Sequence, residues 1–463
     1  TEAWRFRLVA VGPEMLRGRW RTFEEFLLFY LRRCLSVEWG QAEQRKPRAE
    51  QHILLQWMSL LNQQTQAVSG DPDEVRFIPK TGASSALLSL AYNLYLLAHN
   101  VDLQSRLLHR LRLMDQFNGA YYETLVAACF ILAGFKLKLL DEVSGHSRAC
   151  EFDAQAPSGR TFSVEAKARQ PGKAHTDVGN QLVDALKKDA AHDRIIFIDL
   201  NTTDHASAKL AEDVSGAIRR REGVTIKGEP APAAYVFVTN HPYHYDPEGT
   251  VITRFMLAEG FKIPDFGTAT FTSLIKQFRA DQRHADVLAV LEAFRNYSVP
   301  STFDGELPEV AFGRVRRRWL IGEEYDLTSL GVAAVGVLVS ATVDEKSRLA
   351  YLAFALPNGA GRVLPDLLSG DELDAYRRHP ETFFGTRIRQ KGNADTPLAL
   401  FKFFYDSYRS TPRDKMLEFF ATAADLDELT QLPDEDLRLE YCNRHVLAAM
   451  RADWFGTSGS GPA

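Results

Sequence analysis

The sequence predicts an α/β core, a mixed sheet flanked by helices over 119–246, with a mainly helical region before it (1–118) and an α+β, mostly helical region after it (247–463). Three observations carry this. Before 118, apolar residues recur at helical spacing. From Gly119 onward, apolar helical stretches alternate with short strand-like ones, the texture of layered helices and strands. Beyond 247 the pattern loosens into long helical stretches around one hairpin. With 463 residues the chain exceeds one typical core, so two or three domains are expected.

The elements follow in order. Thr22 and Glu25 form a capping-box pattern, after which Phe23, Phe26, Leu27, Tyr30 and Leu31 keep helical spacing. Further helices are expected over 52–64, 84–99 and 103–117. Lys80-Thr81-Gly82 has a superficial likeness to a phosphate loop but lacks its glycine spacing and lysine position, so it reads as a turn and helix cap. Next comes a helix over 121–133, stopped by Gly134. A half-exposed strand over 135–140 alternates Lys136 and Lys138 with apolar residues. Two strands flank a turn at Gly159. A helix over 178–192, a strand over 194–200, a helix over 208–221 and a closing strand over 234–239 complete the core. Helices over 271–296 and within 398–450 enclose a hairpin of 332–339 and 349–356.

Composition narrows the class. A 45% hydrophobic, 25% charged chain has material for packed cores. A formal net charge of -5 argues against coating nucleic acid through bulk charge, though not against a local basic cleft. Cys34, Cys129, Cys150 and Cys442 have no paired spacing, which speaks against a zinc site or disulfide framework and for a reducing compartment. No apolar run reaches membrane-spanning length and no signal-peptide pattern is seen, so the expectation is a cytoplasmic protein without a membrane partner.

The chemistry concentrates at Asp153 and at Glu165-Ala166-Lys167. On extended strands Glu151 and Asp153 share a face, as do Ser163, Glu165 and Lys167. Asp153 and Glu165 are equidistant from Gly159, so a symmetric hairpin would set them directly opposite, with Cβ atoms about 4.5–5.5 Å apart. Opposed carboxylates repel unless a cation compensates, and hard oxygen ligands at that spacing suit Mg²⁺ or Mn²⁺. The plain alternative is an exposed hairpin of mixed charge.

Taken with Glu123 on the preceding helix, the Gly134 stop and the helix that follows, this order resembles the PD-(D/E)XK nuclease superfamily, over about residues 119–240. The resemblance implies a restriction-endonuclease-like fold. It implies Asp153 and Glu165 as metal ligands with the Ala166 carbonyl as another, and Lys167 as catalytic lysine. Glu123 matches the acid of the first core helix, and Gln181 a glutamine near the catalytic centre. Phe152 stands where the superfamily's name has proline. Arg169, Lys173, Lys187 and Lys188 are candidate nucleic-acid contacts, and Arg314, Arg316 and Arg318 a weaker stripe. The function implied is a Mg²⁺-dependent endonuclease acting on nucleic acid, DNA ahead of RNA, with the long flanks of a regulated effector such as one of restriction or anti-phage defence. A nuclease-like binding or scaffold subunit without cleavage and an RNA-directed nuclease stay open, as do a homo-oligomer and a partner subunit.

Overall fold

The computed structural model describes residues 7–68, 75, 78–140, 150–169, 177–202, 208–241, 246–249, 255–267, 271–303, 319–357, 360–378, 383–385 and 396–451. Packing divides the chain into two compact units. One comprises Thr1–Arg21, Glu25–Val299 and Ala394–Ala463, the other Thr22–Glu24 and Pro300–Asn393. Packing thus groups the N-terminal helices, the sheet and the last helices, which sequence texture separates at 118 and 246.

In the first unit β1 (Arg7–Val11) and β2 (Glu14–Gly18) form a hairpin, followed by α1 (Phe23–Leu35), α2 (Val37–Gln44), α3 (Ile53–Ala67), α4 (Gly82–Leu96) and α5 (Val101–Leu111). The helix expected over 103–117 stops at Leu111. The polar residues Asp115 and Gln116 lie in a turn, and the apolar period restarts at Phe117 with α6 (Phe117–Leu132). α4 and α6 are buried on almost every side, as helices apolar all round must be. Thr81 and Ser84 close a capping box at the start of α4. The Gly82 and Ala83 amides donate to the carbonyls of Gly249 and Pro247 at 3.0 and 2.8 Å. A Cβ on Gly82 would stand 2.1 Å from the Asp246 carbonyl oxygen. That helix start is a packed cap.

The remaining elements build a six-stranded sheet. They are β3 (Lys136–Leu139), β4 (Phe152–Gln155), β5 (Thr161–Ala168), α7 (Val178–Leu186), β6 (Asp193–Asp199), α8 (Ala208–Arg219), the small ribbon β7 (Thr225–Ile226) and β8 (Glu229–Pro230), β9 (Ala234–Asn240) and β10 (Phe255–Phe261). The strand order is β10-β9-β6-β5-β4-β3. β5, β6 and β9 run parallel, and the other neighbours pair antiparallel, which makes the sheet mixed. β9 does not close the region, since β10 pairs along its whole length. α7 ends before 192 because the next residue on its buried face would be Asp189, whose side chain is 65% exposed.

Strand alternation gives the sheet two different faces. On one, Phe130 of α6 packs edge-on against Phe152 and Phe197, and Phe197 stacks on Phe237 and on Phe294. Phe294 belongs to α10 (Ala285–Arg295), which follows α9 (Leu274–Arg283). One helix was expected there. His284 breaks it, its ring held between the Tyr235 hydroxyl at 2.9 Å and Asp265 at 3.0 Å. On the other face Ile196, Ile198, Val236 and Val238 pack against Val178, Leu182 and Leu186 of α7 and Val214 and Ile218 of α8. The helices Pro397–Tyr408 and Asp434–Arg451 pack on α9 around Phe278, Phe401, Leu439 and Val446.

The second unit is an antiparallel sheet in the order β11 (Glu324–Asp326), β12 (Val335–Asp344), β13 (Leu349–Ala355) and β14 (Gly361–Leu367). Its core holds Leu327, Leu338, Ala350, Leu352 and Phe354. The expected hairpin is β12–β13, extended by a strand on each side. Among the described residues no helix is long and apolar enough to cross a membrane.

Candidate active site

The site is built on β4 and β5, and the turn between them decides its geometry. Ala156 and Arg160 close the turn with a 2.8 Å bond, and Gly159, at φ +91°, is its last residue. Three-residue hairpin loops place the left-handed residue last, and glycine meets it without a Cβ penalty. The centre of symmetry is therefore Ser158. Asp153 pairs with Ser163 and not with Glu165, which corrects the expected opposition. The Ser163 hydroxyl donates to Asp153 Oδ1 at 2.8 Å. Glu165 lies on the same face, one pair along, where diagonal Cβ atoms are about 7–8 Å apart or slightly less. Its neighbour toward β4 is Glu151, whose amide donates to the Val164 carbonyl at 2.9 Å.

Glu165 is only 1% exposed. Lys167 Nζ lies 2.5 Å from its Oε1, and its Oε2 has no hydrogen-bond partner among the described residues. Burial first, then the Glu151 charge, push the Glu165 carboxyl up to about 7, against the pull of Lys167 and Lys188. Over it lies α7, where Gln181 has a buried Oε1 likewise without a partner among the described residues.

Glu123, 5% exposed on α6, is gripped by both terminal nitrogens of Arg110, Nη2 donating to Oε1 at 2.8 Å. Burial and then Glu151 raise its carboxyl, while the two-pronged guanidinium contact favours the carboxylate. Arg110 and Arg106 stand 3.8 and 3.7 Å from Glu151 Oε2. The β4–β5 ladder ends at Phe152 and Val164. Past that end, Glu123 from one face and Glu165 from the other come within electrostatic reach. Asp153 sits apart from these three acids, with His192 Nε2 3.8 Å from its Oδ2.

Carbonyls alternate sides along a strand. Val164 accepts from Glu151 and Arg169 donates toward β6, so the Ala166 carbonyl points to the β4 side, beyond the end of that ladder. Asp153 and Glu165 share one face of the sheet as diagonal neighbours, and the Ala166 carbonyl lies next to Glu165 along β5. No group of three or more His, Cys, Asp or Glu side chains placed to hold a metal ion occurs among the described residues. Mg²⁺ characteristically takes one or two carboxylates and completes its shell with water and phosphate.

The expected nucleic-acid contacts divide. Arg169 is buried at 6% exposure, its amide donating to the Asp199 carbonyl at 3.1 Å and its guanidinium to the Leu200 carbonyl at 3.4 Å. It ties strand ends together and does not face outward, because the neighbouring strand end at Asp199 and Leu200 supplies its hydrogen-bond acceptors. Lys187 is exposed and paired with Asp184 at 2.9 Å. Lys188 is close enough to Glu165 to lower its pKa. Lys173, Arg314, Arg316 and Arg318 lie outside the described residues. Sequence reasoning missed Arg106, Arg110 and His192, and gave Glu151 a face but no role. Arg106 and Arg110, four apart on α5, were visible as a stripe whose destination was not.

No protein-family model matches the chain, and searches of curated proteins and of solved structures find no match either.

Proposed function

We propose that the chain is a metal-dependent nuclease of the PD-(D/E)XK type, with DNA as its substrate. The observation that carries this reading is the buried Glu165 carboxylate with an unpartnered oxygen, beside Lys167 and on the face of Asp153. Lys167 answers one oxygen, and leaving the other oxygen of an ionised, buried group unpaired is costly. The order α6, β3, β4, β5, α7, β6 supports it, since the resemblance rests on that order. Asp153, Glu165 and the Ala166 carbonyl would hold the ion. A bound divalent ion supplies polarisation of the scissile phosphate and a water of lowered pKa. Ser163 fixes the Asp153 carboxylate by its hydrogen bond. Lys167 places a positive charge where negative charge develops on the phosphate. Gln181, whose buried Oε1 has no partner among the described residues, is the glutamine that the resemblance puts near the catalytic centre.

The test is incubation of the purified chain with supercoiled plasmid and with single-stranded RNA, in Mg²⁺ or in EDTA. Cleavage of the plasmid that needs Mg²⁺ and is lost in Asp153→Ala is expected. Cleavage that survives Asp153→Ala would sink the site.

A pH dependence follows. Because the folded-state pKa of Glu165 is raised to about 7, its contribution to stability is full below the ordinary 4.5 and is lost as pH rises through about 7. Mg²⁺ binds the ionised carboxyl and opposes that loss. Below about pH 7 the apparent Mg²⁺ affinity is expected to fall roughly ten-fold per pH unit, because binding displaces one proton. Thermal-shift titrations across that range check it. In Glu165→Gln the dependence disappears; if it persists there, another group is responsible.

A further inference from the structure

We infer that the exposed β3 edge of the sheet face bearing Asp153 and Glu165 is a track for the phosphodiester backbone of DNA, with Lys136, Lys138 and His192 meeting phosphates that lead into the candidate site. The inference takes its direction from the nuclease reading. α7 and α8 cover that face over β6 and β9, whereas at the edge strand β3 the side chains of that face are exposed. β3 is the edge strand, and its register sets Lys136 beside Gln155 and Lys138 beside Asp153 on one face. Lys136, Lys138 and Gln155 are all exposed. Neither lysine side chain makes an ion pair or hydrogen bond among the described residues, although Lys138 stands opposite a carboxylate; Asp153 is instead taken by Ser163. By contrast Lys187 and Lys227 are already paired with Asp184 and Asp189. Across the site His192, 41% exposed, is held by its amide on the Ser163 hydroxyl at 3.3 Å. Two unpaired lysines thus flank the acids on one side, and an exposed imidazole on the other. This suits a polyanion whose scissile group meets the acids while neighbouring phosphates meet the cations. Lysines on an edge strand also discourage strand pairing. That role does not require them to share the face of the acids, and it gives no salt-dependent binding.

The experiment is fluorescence anisotropy in EDTA with labelled duplex DNA, single-stranded DNA and single-stranded RNA, each over a range of NaCl. It compares the full chain with Lys136→Ala/Lys138→Ala, with Lys138→Glu and with Lys227→Asn. For DNA the double variant is expected to bind more weakly across unrelated sequences, with a slope of log affinity against log salt reduced by about 2. Lys138→Glu weakens binding and Lys227→Asn leaves it unchanged. Under cleavage conditions the double variant raises KM and keeps kcat. Equal affinities and slopes in wild type and double variant overturn the track, as does a wild type that binds none of the three probes. Binding of RNA alone overturns the assignment to DNA. Salt-dependent binding lost in the double variant, without cleavage by the wild type, keeps the track and removes the nuclease reading. Cleavage dependent on Asp153 with unaltered binding in the double variant does the reverse.

Discussion

Lys167→Ala is expected to slow single-turnover cleavage by roughly 10²–10³-fold, the usual loss when one preorganised group that stabilises transition-state charge is removed. Lys167 is 30% exposed at the side chain and stands 2.5 Å from Glu165 Oε1, so its ammonium is both held and able to reach a ligand. Folding is expected to change little, because the buried Glu165 left behind takes up a proton and becomes neutral. Lys167→Arg is expected to fail as a rescue, since a planar fork cannot occupy the place of a compact ammonium. Glu165→Gln keeps the shape and removes the charge, and it is expected to lose both cleavage and the Mg²⁺-induced rise in melting temperature. A Lys167→Ala chain that cleaves at the wild-type rate would remove that residue from the chemistry.

Arg110→Ala is expected to cost about 3–5 kcal/mol of stability, the range for breaking a buried ion pair from one side. The side chains of Arg110 and Glu123 are 23% and 6% exposed, and Glu151, also served by Arg110, is 14% exposed. Without the guanidinium, Glu123 loses both of its charged hydrogen bonds, while Glu151 keeps Arg106 at 3.7 Å. The double variant Arg110→Ala/Glu123→Gln is expected to recover part of the loss by removing the stranded charge. Urea midpoints at constant m value measure both. A loss under about 1 kcal/mol would place the contact among ordinary surface pairs.

Much of the sheet could be read in the chain itself. The apolar runs at Ile195–Ile198 and Val236–Val238, and the alternation at Lys136 and Lys138, gave strands where strands lie. Local chemistry was equally legible: Thr81 caps α4, and Gly134 follows the end of α6. What failed was anything set by a partner far away in sequence. β10 is a strand because β9 offers it an edge, and its own residues, with Glu259 and Gly260 among them, do not announce it. The basic residue after Lys167 looked like a phosphate contact, and only the neighbouring strand ends at Asp199 and Leu200 claim it for the interior. Arg110 reaches Glu123 across two helices, a meeting that no local pattern specifies. The candidate acids were found by residue type and alternation, whereas their pairing depended on one residue of turn geometry.

That turn has an evolutionary consequence. With Ala156 and Arg160 closing it, β4 and β5 are in phase, and each side chain of β4 is committed to one face. Inserting a single residue would slip the strand by one place, burying Asp153 among phenylalanines and turning Phe152 toward the acids. Lengthening by two would keep both faces. Descendants of this chain can therefore be expected to vary the loop in steps that preserve parity, so that the spacing between the two acids drifts while the face they share does not.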